Sequence, residues 1–240
     1  DWAVVLQAAG IPCRVDPGAD GWHLVVAATD EQRAREALVD YESDALPRTD
    51  VAEWGPTKAG LVIAAVLIAV YPMTGFRSDG RALFAAGEGS TDHILSGEPW
   101  RVVTALMLHA DVVHLVGNVV AMAVLASAVC RLLGPGLGAA LLVLSGVGGN
   151  TLNAVLRSGP HVSVGASTSI FGAVGILAGV AILRARSPRR RPWVPLAAGL
   201  ALLGFLGTGE HADLAAHFFG FQVGLGFGLG FDRGLYGGVF

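Results

Sequence analysis

Polar side chains with the chemistry for acyl transfer stand at the start of three otherwise apolar stretches of the chain. They are His114 with Asn118 in the first stretch, Ser167 in the second and His217 in the third. A serine hydroxyl becomes a nucleophile when a histidine accepts its proton, and the same histidine can later protonate the leaving amine. Because amide and imidazole groups stabilise the oxyanion on the attacked carbonyl, His114 and Asn118 are expected oxyanion donors. The residue types predict a serine hydrolase with Ser167 as nucleophile and His217 as general base.

The spacing of these residues fits the ends of helices. His114 and Asn118 are four residues apart and so share one face of a helix. Ser167 stands at a predicted helix start, where unpaired backbone N–H groups and the positive end of the helix dipole favour a developing negative charge. The backbone N–H of Ser167 is therefore a third expected oxyanion donor.

The composition places this chemistry in a membrane. The chain has 240 residues, of which 53% are hydrophobic and 15% are charged, with 34 glycines and a mean hydropathy of +0.59. Soluble domains are usually about a quarter charged, which disfavours a water-soluble globular enzyme. Disorder is excluded, because it needs low hydrophobicity and high net charge. The net charge of −3 gives no reason to expect nucleic acid as a partner, so the expected surroundings are a lipid bilayer.

Six segments are apolar enough to be membrane spans, since a bilayer core takes roughly 20 mostly apolar residues per helix. Several are short or rich in glycine and alanine, which is typical of helices packed closely inside a bundle. Glycines recur every fourth residue from Gly220 to Gly228 in the last span and from Gly175 to Gly179 in the fourth. These two spans are therefore expected to approach closely enough for Ser167 to contact His217. The predicted spans are 59–76, 112–133, 137–157, 168–185, 193–208 and 214–231.

The distribution of arginine and lysine orients the spans. With the N-terminus in the cytoplasm, nine of the thirteen arginine and lysine residues from Arg48 onward fall on the inner side and four on the outer side, as the positive-inside rule favours. Six spans then return the C-terminus to the cytoplasm, and spans two, four and six all run from outside to inside. The polar starts of these three spans consequently share one depth in the outer part of the bilayer. The long, partly apolar loop 77–111 is expected at the membrane interface.

An acidic segment precedes the membrane body. Residues 1–58 carry 11 acidic and 5 basic side chains, whereas residues 59–240 carry 8 and 11. Alternating strands near 12–15 and 22–26, with helices near 3–9 and 29–41, indicate a small α+β unit similar to ferredoxin-like regulatory domains. No signal peptide is expected, because the first twenty residues lack a basic start and a continuous apolar core. We expect a cytoplasmic α+β domain with its linker over 1–54 and a membrane domain over 55–240.

A set of motifs in the membrane body follows one order and spacing. They are Trp100-Arg101, His109, His114-x3-Asn118, Gly165-x-Ser167 and Ala216-His217-x2-Gly220. Together they resemble the signature of the rhomboid intramembrane serine proteases, and the resemblance covers residues 58–234, the whole membrane body. The expected fold is an all-α polytopic membrane protein, a six-helix rhomboid-like bundle carrying the small α+β N-terminal domain.

The resemblance implies an activity and roles for further residues. It implies a Ser–His dyad without an acidic third member, and a hydrated cavity that opens to the outer side of the inner membrane. Single-span or other transmembrane proteins are the implied substrates, cleaved near their outer ends, and no cofactor is expected. Phe171 would support the ring of His217, and Trp100-Arg101 would shape the membrane-embedded loop. The family usually has glycine after the nucleophile, whereas Thr168 stands there in this chain, so a narrower oxyanion pocket is expected.

Two other functions fit parts of the sequence. One is a metal site or metal transporter, because His109-x-Asp111-x2-His114 and His211-x-Asp213-x3-His217 supply imidazole and carboxylate ligands. Against a metal site, the sequence has no His-Glu-x-x-His helix, and Ser167 and Asn118 would have no role. The other is a catalytically inactive rhomboid relative that binds membrane proteins, although both dyad residues are present. We expect the protease, while the natural substrate and the oligomeric state stay open.

Overall fold

The computed structural model describes residues 2–18, 21–45, 57–183, 197 and 213–234. These residues fall into two compact units, an N-terminal unit before residue 46 and a helical unit from residue 57 onward. The arginine-rich run 184–191 and, except for residue 197, the predicted fifth span 193–208 lie outside the described residues.

The N-terminal unit consists of two helices and a β-hairpin. Its elements are α1 (Trp2–Ala8), β1 (Cys13–Gly18), β2 (Gly21–Val26) and α2 (Glu31–Ala45). The strands pair antiparallel, and the pairing continues through Asp16 and Pro17, so β1 extends further than the residue pattern predicts. The buried core of the unit is formed by Leu6, Ile11, Ala34 and Ala37.

The helical unit contains five long apolar helices, with shorter elements between them. In chain order the elements are α3 (Ala59–Thr74), α4 (Ala82–Gly87), β3 (Gly89–Ser90), α5 (Thr91–Leu95), α6 (Arg101–Thr104), α7 (Val112–Leu133), α8 (Pro135–Leu156), β4 (Val162–Ser163), α9 (Ser167–Leu183) and α10 (Leu214–Gly234). The short strands β3 and β4 pair antiparallel, which ties the loop before α5 to the loop before α9.

Five of the six predicted spans correspond to apolar helices. By length and composition, α7 and α8, with 22 residues each, can cross a membrane, whereas α3, α9 and Leu214–Gly230 of α10 are apolar but shorter. The ends shift from the predicted positions for local reasons. Gly75, with φ of 69°, ends α3 earlier, because a left-handed residue stops a helix. Pro135 starts α8 earlier, because proline is favoured at the first helical position.

Helices α9 and α10 pack backbone against backbone. A methyl group on Gly224 would collide with the carbonyl of Gly172, and one on Gly179 would lie 2.8 Å from the backbone of Gly228. Any larger side chain would force the helices apart, so the glycines permit this packing. The close approach expected from the glycine spacing is present. Because successive turns of one helix meet successive turns of the other, the helices run parallel and their first turns lie side by side.

The loop between α3 and α7 is folded into short helical pieces. Besides α4, α5 and α6 it contains 3-10 turns at Arg77–Asp79 and Ala105–Met107. Its surface carries exposed apolar side chains, which are Leu83, Leu95, Trp100 and Val103. These side chains would contact lipid if the loop lies at the membrane interface, as expected from the sequence.

Candidate active site

Ser167 and His217 meet where α9 and α10 begin. Oγ of Ser167, the first residue of α9, lies 2.7 Å from Nε2 of His217, in the first turn of α10. This distance lies inside the range of about 2.6–3.2 Å that proton transfer between a nucleophile and its base requires. His217 is buried, so the ring is held by protein contacts. The two residues that the sequence assigns to nucleophile and base are thus joined by a hydrogen bond.

The ring of His217 is oriented by packing. The ring of Phe171 stacks on it with the centroids 4.6 Å apart and the planes 29° apart. Phe171 lies one turn after Ser167 on α9, so a single helix supplies both the hydroxyl and the supporting ring. Nδ1 of His217 is buried and has no hydrogen-bond partner among the described residues. Within the described part of the chain, Ser167 and His217 therefore form a pair in which no acidic side chain hydrogen-bonds to Nδ1 of the imidazole.

Asp213 connects the start of α10 to α8 and to the loop that follows α8. Its carboxylate accepts a hydrogen bond from the backbone N–H of Ala216 at 3.2 Å, and its carbonyl accepts one from the N–H of His217 at 2.9 Å. The same carboxylate binds Nδ2 of Asn153 at 2.6 Å, Nε2 of His161 at 2.6 Å and Nη1 of Arg157 at 3.3 Å. Asp213 therefore caps α10 and also fixes the helix that carries His217.

Asn153 and His161 are contributors that the sequence analysis missed. His161 reads as an ordinary loop residue, and no local pattern links it to a residue 52 positions away. Asn153 carried a usable signal, because it is a polar side chain inside a predicted span. Polar residues within spans are functional candidates by default, and applying that rule to the third span would have singled out Asn153 and Asn150.

Replacing Asp213 with asparagine is expected to lower thermal stability at pH 7. Burial alone would raise the pKa of the Asp213 carboxyl, but hydrogen bonds from Ala216, His161 and Asn153 outweigh burial and hold the pKa below its ordinary value. Hydrogen bonds to a charged group contribute about 1.5–3 kcal/mol, which is the expected loss. A carboxyl group whose pKa is lower in the folded than in the unfolded protein stabilises the fold at pH values above its unfolded pKa of about 3.9. This stabilisation is lost as the pH falls through the folded pKa.

Thermal unfolding of the detergent-solubilised protein checks this prediction. Wild type and Asp213→Asn should differ clearly at pH 7 and converge as the pH falls well below 4, where the carboxyl is protonated. Asp92→Asn is the matched control, because Asp92 is an exposed acid on α5. Equal unfolding temperatures of wild type and Asp213→Asn at pH 7 would contradict the stabilising role of the carboxylate.

A small space beside Gly165 is bounded by His114 and Ser167. Gly165 has φ of 121°, and a methyl group on it would lie 2.6 Å from Nε2 of His114 and 3.4 Å from Oγ of Ser167. The imidazole and the nucleophile therefore border the same space, which only glycine leaves open. Asn118 is buried nearby on α7; its Nδ2 donates to the carbonyl of His114 at 2.8 Å. An amide has two such protons, so this bond engages one of them.

The remaining motif residues organise the loop that precedes α7. Arg101 is buried and donates to the carbonyls of Ala85 and Glu88 at 2.8 and 3.0 Å and to Oε2 of Glu98 at 2.6 Å. Trp100 is 52% exposed. Arg101 thus ties the end of α4 to the start of α6 from inside, while Trp100 faces outward.

His109 is buried beside His114, and the two ring centroids are 5.3 Å apart in an edge-to-face arrangement. Burial, followed by the neighbouring His114, lowers the pKa of His109 to about 4. A neutral ring at this position supports the orientation of His114 without adding charge to the space beside Ser167.

Thr168 does not narrow the space beside Ser167. Its side chain is buried toward α8 and α10, where Oγ1 donates to Oδ1 of Asn150 at 3.0 Å. Methyl groups on Gly149 and Gly220 would press against Cγ2 of Thr168, so both glycines make room for this side chain. The oxyanion pocket is therefore not narrowed by Thr168, contrary to the expectation from the sequence. The side chain instead packs on the other side of α9, where Gly220 is one of its contacts.

The proposed metal-ligand sets do not assemble in the part of the chain that the structure covers. There, no three His, Cys, Asp or Glu side chains come close enough to hold a metal ion. His109 and His114 are neighbours, but Asp213 is engaged with Asn153, Arg157 and His161 instead. His211 lies outside the described residues.

Comparison with known proteins agrees with the motifs. The family model described as the Rhomboid domain matches residues 96–233, more than half of the chain and every site residue named above. The chain is 30% identical over 160 residues to the rhomboid protease GluP of Bacillus subtilis, covering 66% of this chain and 29% of that protein. It is 31% identical over 138 residues to RHOMBOID-like protein 5 of Arabidopsis thaliana, covering 56% of this chain and 44% of that protein.

The matched segments cover less than half of the length of either relative. The segment that the family model matches includes Ser167, His217, His114 and Asn118. The resemblance inferred from the motifs is confirmed: the chain belongs to the rhomboid family.

Proposed function

We propose that this chain is an intramembrane serine endopeptidase, which hydrolyses a peptide bond in or near a transmembrane segment of a membrane protein. The observation that carries the proposal is the 2.7 Å hydrogen bond between Ser167 and His217 at the adjoining starts of two parallel apolar helices. Membership of a family whose relatives are named rhomboid proteases supports the same reaction.

The reaction proceeds through an acyl-enzyme. Nε2 of His217 accepts the hydroxyl proton while Oγ of Ser167 attacks the scissile carbonyl carbon, and the carbonyl oxygen becomes an oxyanion. His217 then gives the proton to the leaving amine, the C–N bond breaks, and the acyl group remains on Oγ. Water attacks the ester with His217 again as base, which releases the carboxylic acid product and restores the serine hydroxyl.

The oxyanion forms in the space beside Gly165. Nε2 of His114 borders this space, the second amide proton of Asn118 is available on the same helix face, and the N–H of Ser167 belongs to a helix start. Backbone N–H groups at a helix start are unpaired within the helix and lie at its positive end. Three donors of different types therefore serve the developing charge, each worth about 10²–10³ in rate where such donors have been removed.

The wider architecture follows from the same proposal. Six spans with both termini in the cytoplasm place the starts of α7, α9 and α10 in the outer part of the inner membrane, where outer ends of transmembrane substrates are accessible. Residues 1–54 form a separate cytoplasmic domain, and residues 55–240 form the protease. The substrates are single-span or other transmembrane proteins, and Trp100-Arg101 shape the loop that meets them at the interface.

Labelling with a fluorophosphonate probe tests the proposal. Such probes react with activated serine hydroxyls, so the purified wild-type protein in detergent should be labelled and Ser167→Ala should not. Ser169→Ala is the matched control, because Ser169 lies two residues further on and is buried against α8 near Gly146; it should keep the label. Equal labelling of wild type and Ser167→Ala would reject the proposal, and a wild type without any label would favour an inactive relative.

A further inference from the structure

A buried hydrogen-bond bridge joins the residue after Ser167 to the loop before α7. Oγ1 of Thr168 donates to Oδ1 of Asn150 at 3.0 Å, and Nδ2 of Asn150 donates to the carbonyl of Val102 at 2.9 Å. Thr168, Asn150 and Val102 are all buried. Because water cannot replace partners at a buried site, each of these bonds is costly to leave unmade. The bridge therefore connects α9 to α6 through α8.

A second bond ties the chain just before Ser167 to the same loop. The backbone N–H of Gly165 donates to the carbonyl of Ala105 at 2.9 Å. Ala105 lies three residues after Val102, in the 3-10 turn that follows α6. The chain is thus anchored on both sides of Ser167, at Gly165 and at Thr168, and both anchors end on the segment 102–105.

The methyl group and the hydroxyl of Thr168 have separate structural roles. Its methyl group packs against α8 and α10, since a methyl on Gly220 would lie 2.9 Å from Cγ2 of Thr168. Its hydroxyl makes the bond to Asn150. Packing of the methyl contributes to the stability of the bundle, whereas the hydroxyl fixes the first turn of α9 relative to the loop. Substitutions that change one end and keep the other can therefore distinguish the two contributions.

We propose that Thr168 and Asn150 are positioning residues, which hold Ser167 at its distance from His217 by linking the start of α9 to the segment 102–105. This inference rests on the proposed function, because it concerns the nucleophile of that reaction. A nucleophile displaced by a fraction of an ångström loses rate steeply. The rate at which bound probe acylates Ser167 is consequently expected to depend on the hydroxyl of Thr168 and on the amide of Asn150.

Three variants separate this role from a contribution to stability alone. Thr168→Val keeps the shape of the side chain and removes the hydroxyl. Thr168→Ser keeps the hydroxyl and removes the methyl. Asn150→Leu removes the bridge at its centre and leaves the buried carbonyl of Val102 without its amide donor, so it should lose stability as well. Each variant is assayed in the full-length chain for unfolding temperature, and for fluorophosphonate labelling as a function of probe concentration.

The labelling rate is expected to depend on whether the hydrogen-bond bridge from Thr168 to Val102 is intact, and not on the unfolding temperature. Thr168→Val should lower the maximal labelling rate roughly three- to tenfold, the change in rate equivalent to one net hydrogen bond. The probe concentration at half-maximal rate should stay the same. Thr168→Ser should keep the wild-type rate despite a lower unfolding temperature. Asn150→Leu should show the low rate together with a lower unfolding temperature.

Two results would overturn the inference. One is a wild-type labelling rate in Thr168→Val. The other is a rate that falls in proportion to the unfolding temperature across all three variants, with Thr168→Ser as slow as Thr168→Val. Failure of the proposed function has a different signature, since wild type and Ser167→Ala would then be labelled alike, and the inference would fall with it.

Discussion

Replacing His217 with alanine is expected to slow cleavage of a single-span model substrate by about 10²–10⁴-fold, the range that a positioned general base contributes. In the proposed mechanism, the hydroxyl loses its proton through the 2.7 Å bond between Ser167 and Nε2 of His217. Without the imidazole, Ser167 retains its proton and is a weak nucleophile. The measurement is the rate of appearance of the cleaved fragment with purified protein in detergent or vesicles.

The double variant Ser167→Ala with His217→Ala gives a sharper result. Residues that act as one unit show strongly non-additive effects, so the double variant should be no slower than Ser167→Ala alone. His23→Ala is the control, because His23 lies on β2 of the N-terminal unit. If the effects of the two single variants multiply in the double variant, Ser167 and His217 do not share one proton transfer.

The residues that form the pair could be predicted from the sequence because they depend on local features. Ser167 and His217 each stand at the start of an apolar segment, and a helix start is a local signal of polarity and hydropathy. The glycine spacing supplied the long-range information that the fourth and last spans are neighbours, because helices with glycines on their facing sides can approach closely. Their common depth in the bilayer stays a prediction from the distribution of arginine and lysine.

The contacts that support the pair could not be predicted in the same way. Asn153 bonds to Asp213 across 60 positions, and Asn150 bonds to Val102 across 48. Such pairings depend on which faces of the helices meet, and hydropathy does not determine that. The pairing of β3 with β4 involves two residues in each strand, too few for an alternating pattern.

Thr168 shows how a local reading can mislead. A residue larger than glycine after the nucleophile suggests a narrower oxyanion pocket, if its side chain is assumed to lie beside Ser167. On a helix, however, consecutive residues point in directions about 100° apart, and Thr168 points toward Gly149 and Gly220. The space that this threonine needs is provided by Gly149 and Gly220 on neighbouring helices, and nothing in the sequence links either glycine to Thr168.

Replacing Gly165 with alanine is expected to reduce kcat/KM by about 10²–10³-fold or more, the loss that follows removal of one oxyanion donor. The added methyl would lie 2.6 Å from Nε2 of His114 and 3.4 Å from Oγ of Ser167, in the space proposed for the oxyanion. His114 must then move away or the substrate carbonyl must bind elsewhere. The measurement is the concentration dependence of substrate cleavage.

Gly159→Ala is the matched control for this substitution. Gly159 lies in the same loop with φ of 87°, and a methyl group on it meets no described atom within 4 Å. Both substitutions put alanine in the left-handed region and share that backbone cost, about 1–3 kcal/mol. Both variants should therefore lose stability, while Gly165→Ala alone should lose activity beyond that shared effect. Equal losses of kcat/KM in the two variants would mean that backbone strain, and not the space between His114 and Ser167, limits the reaction.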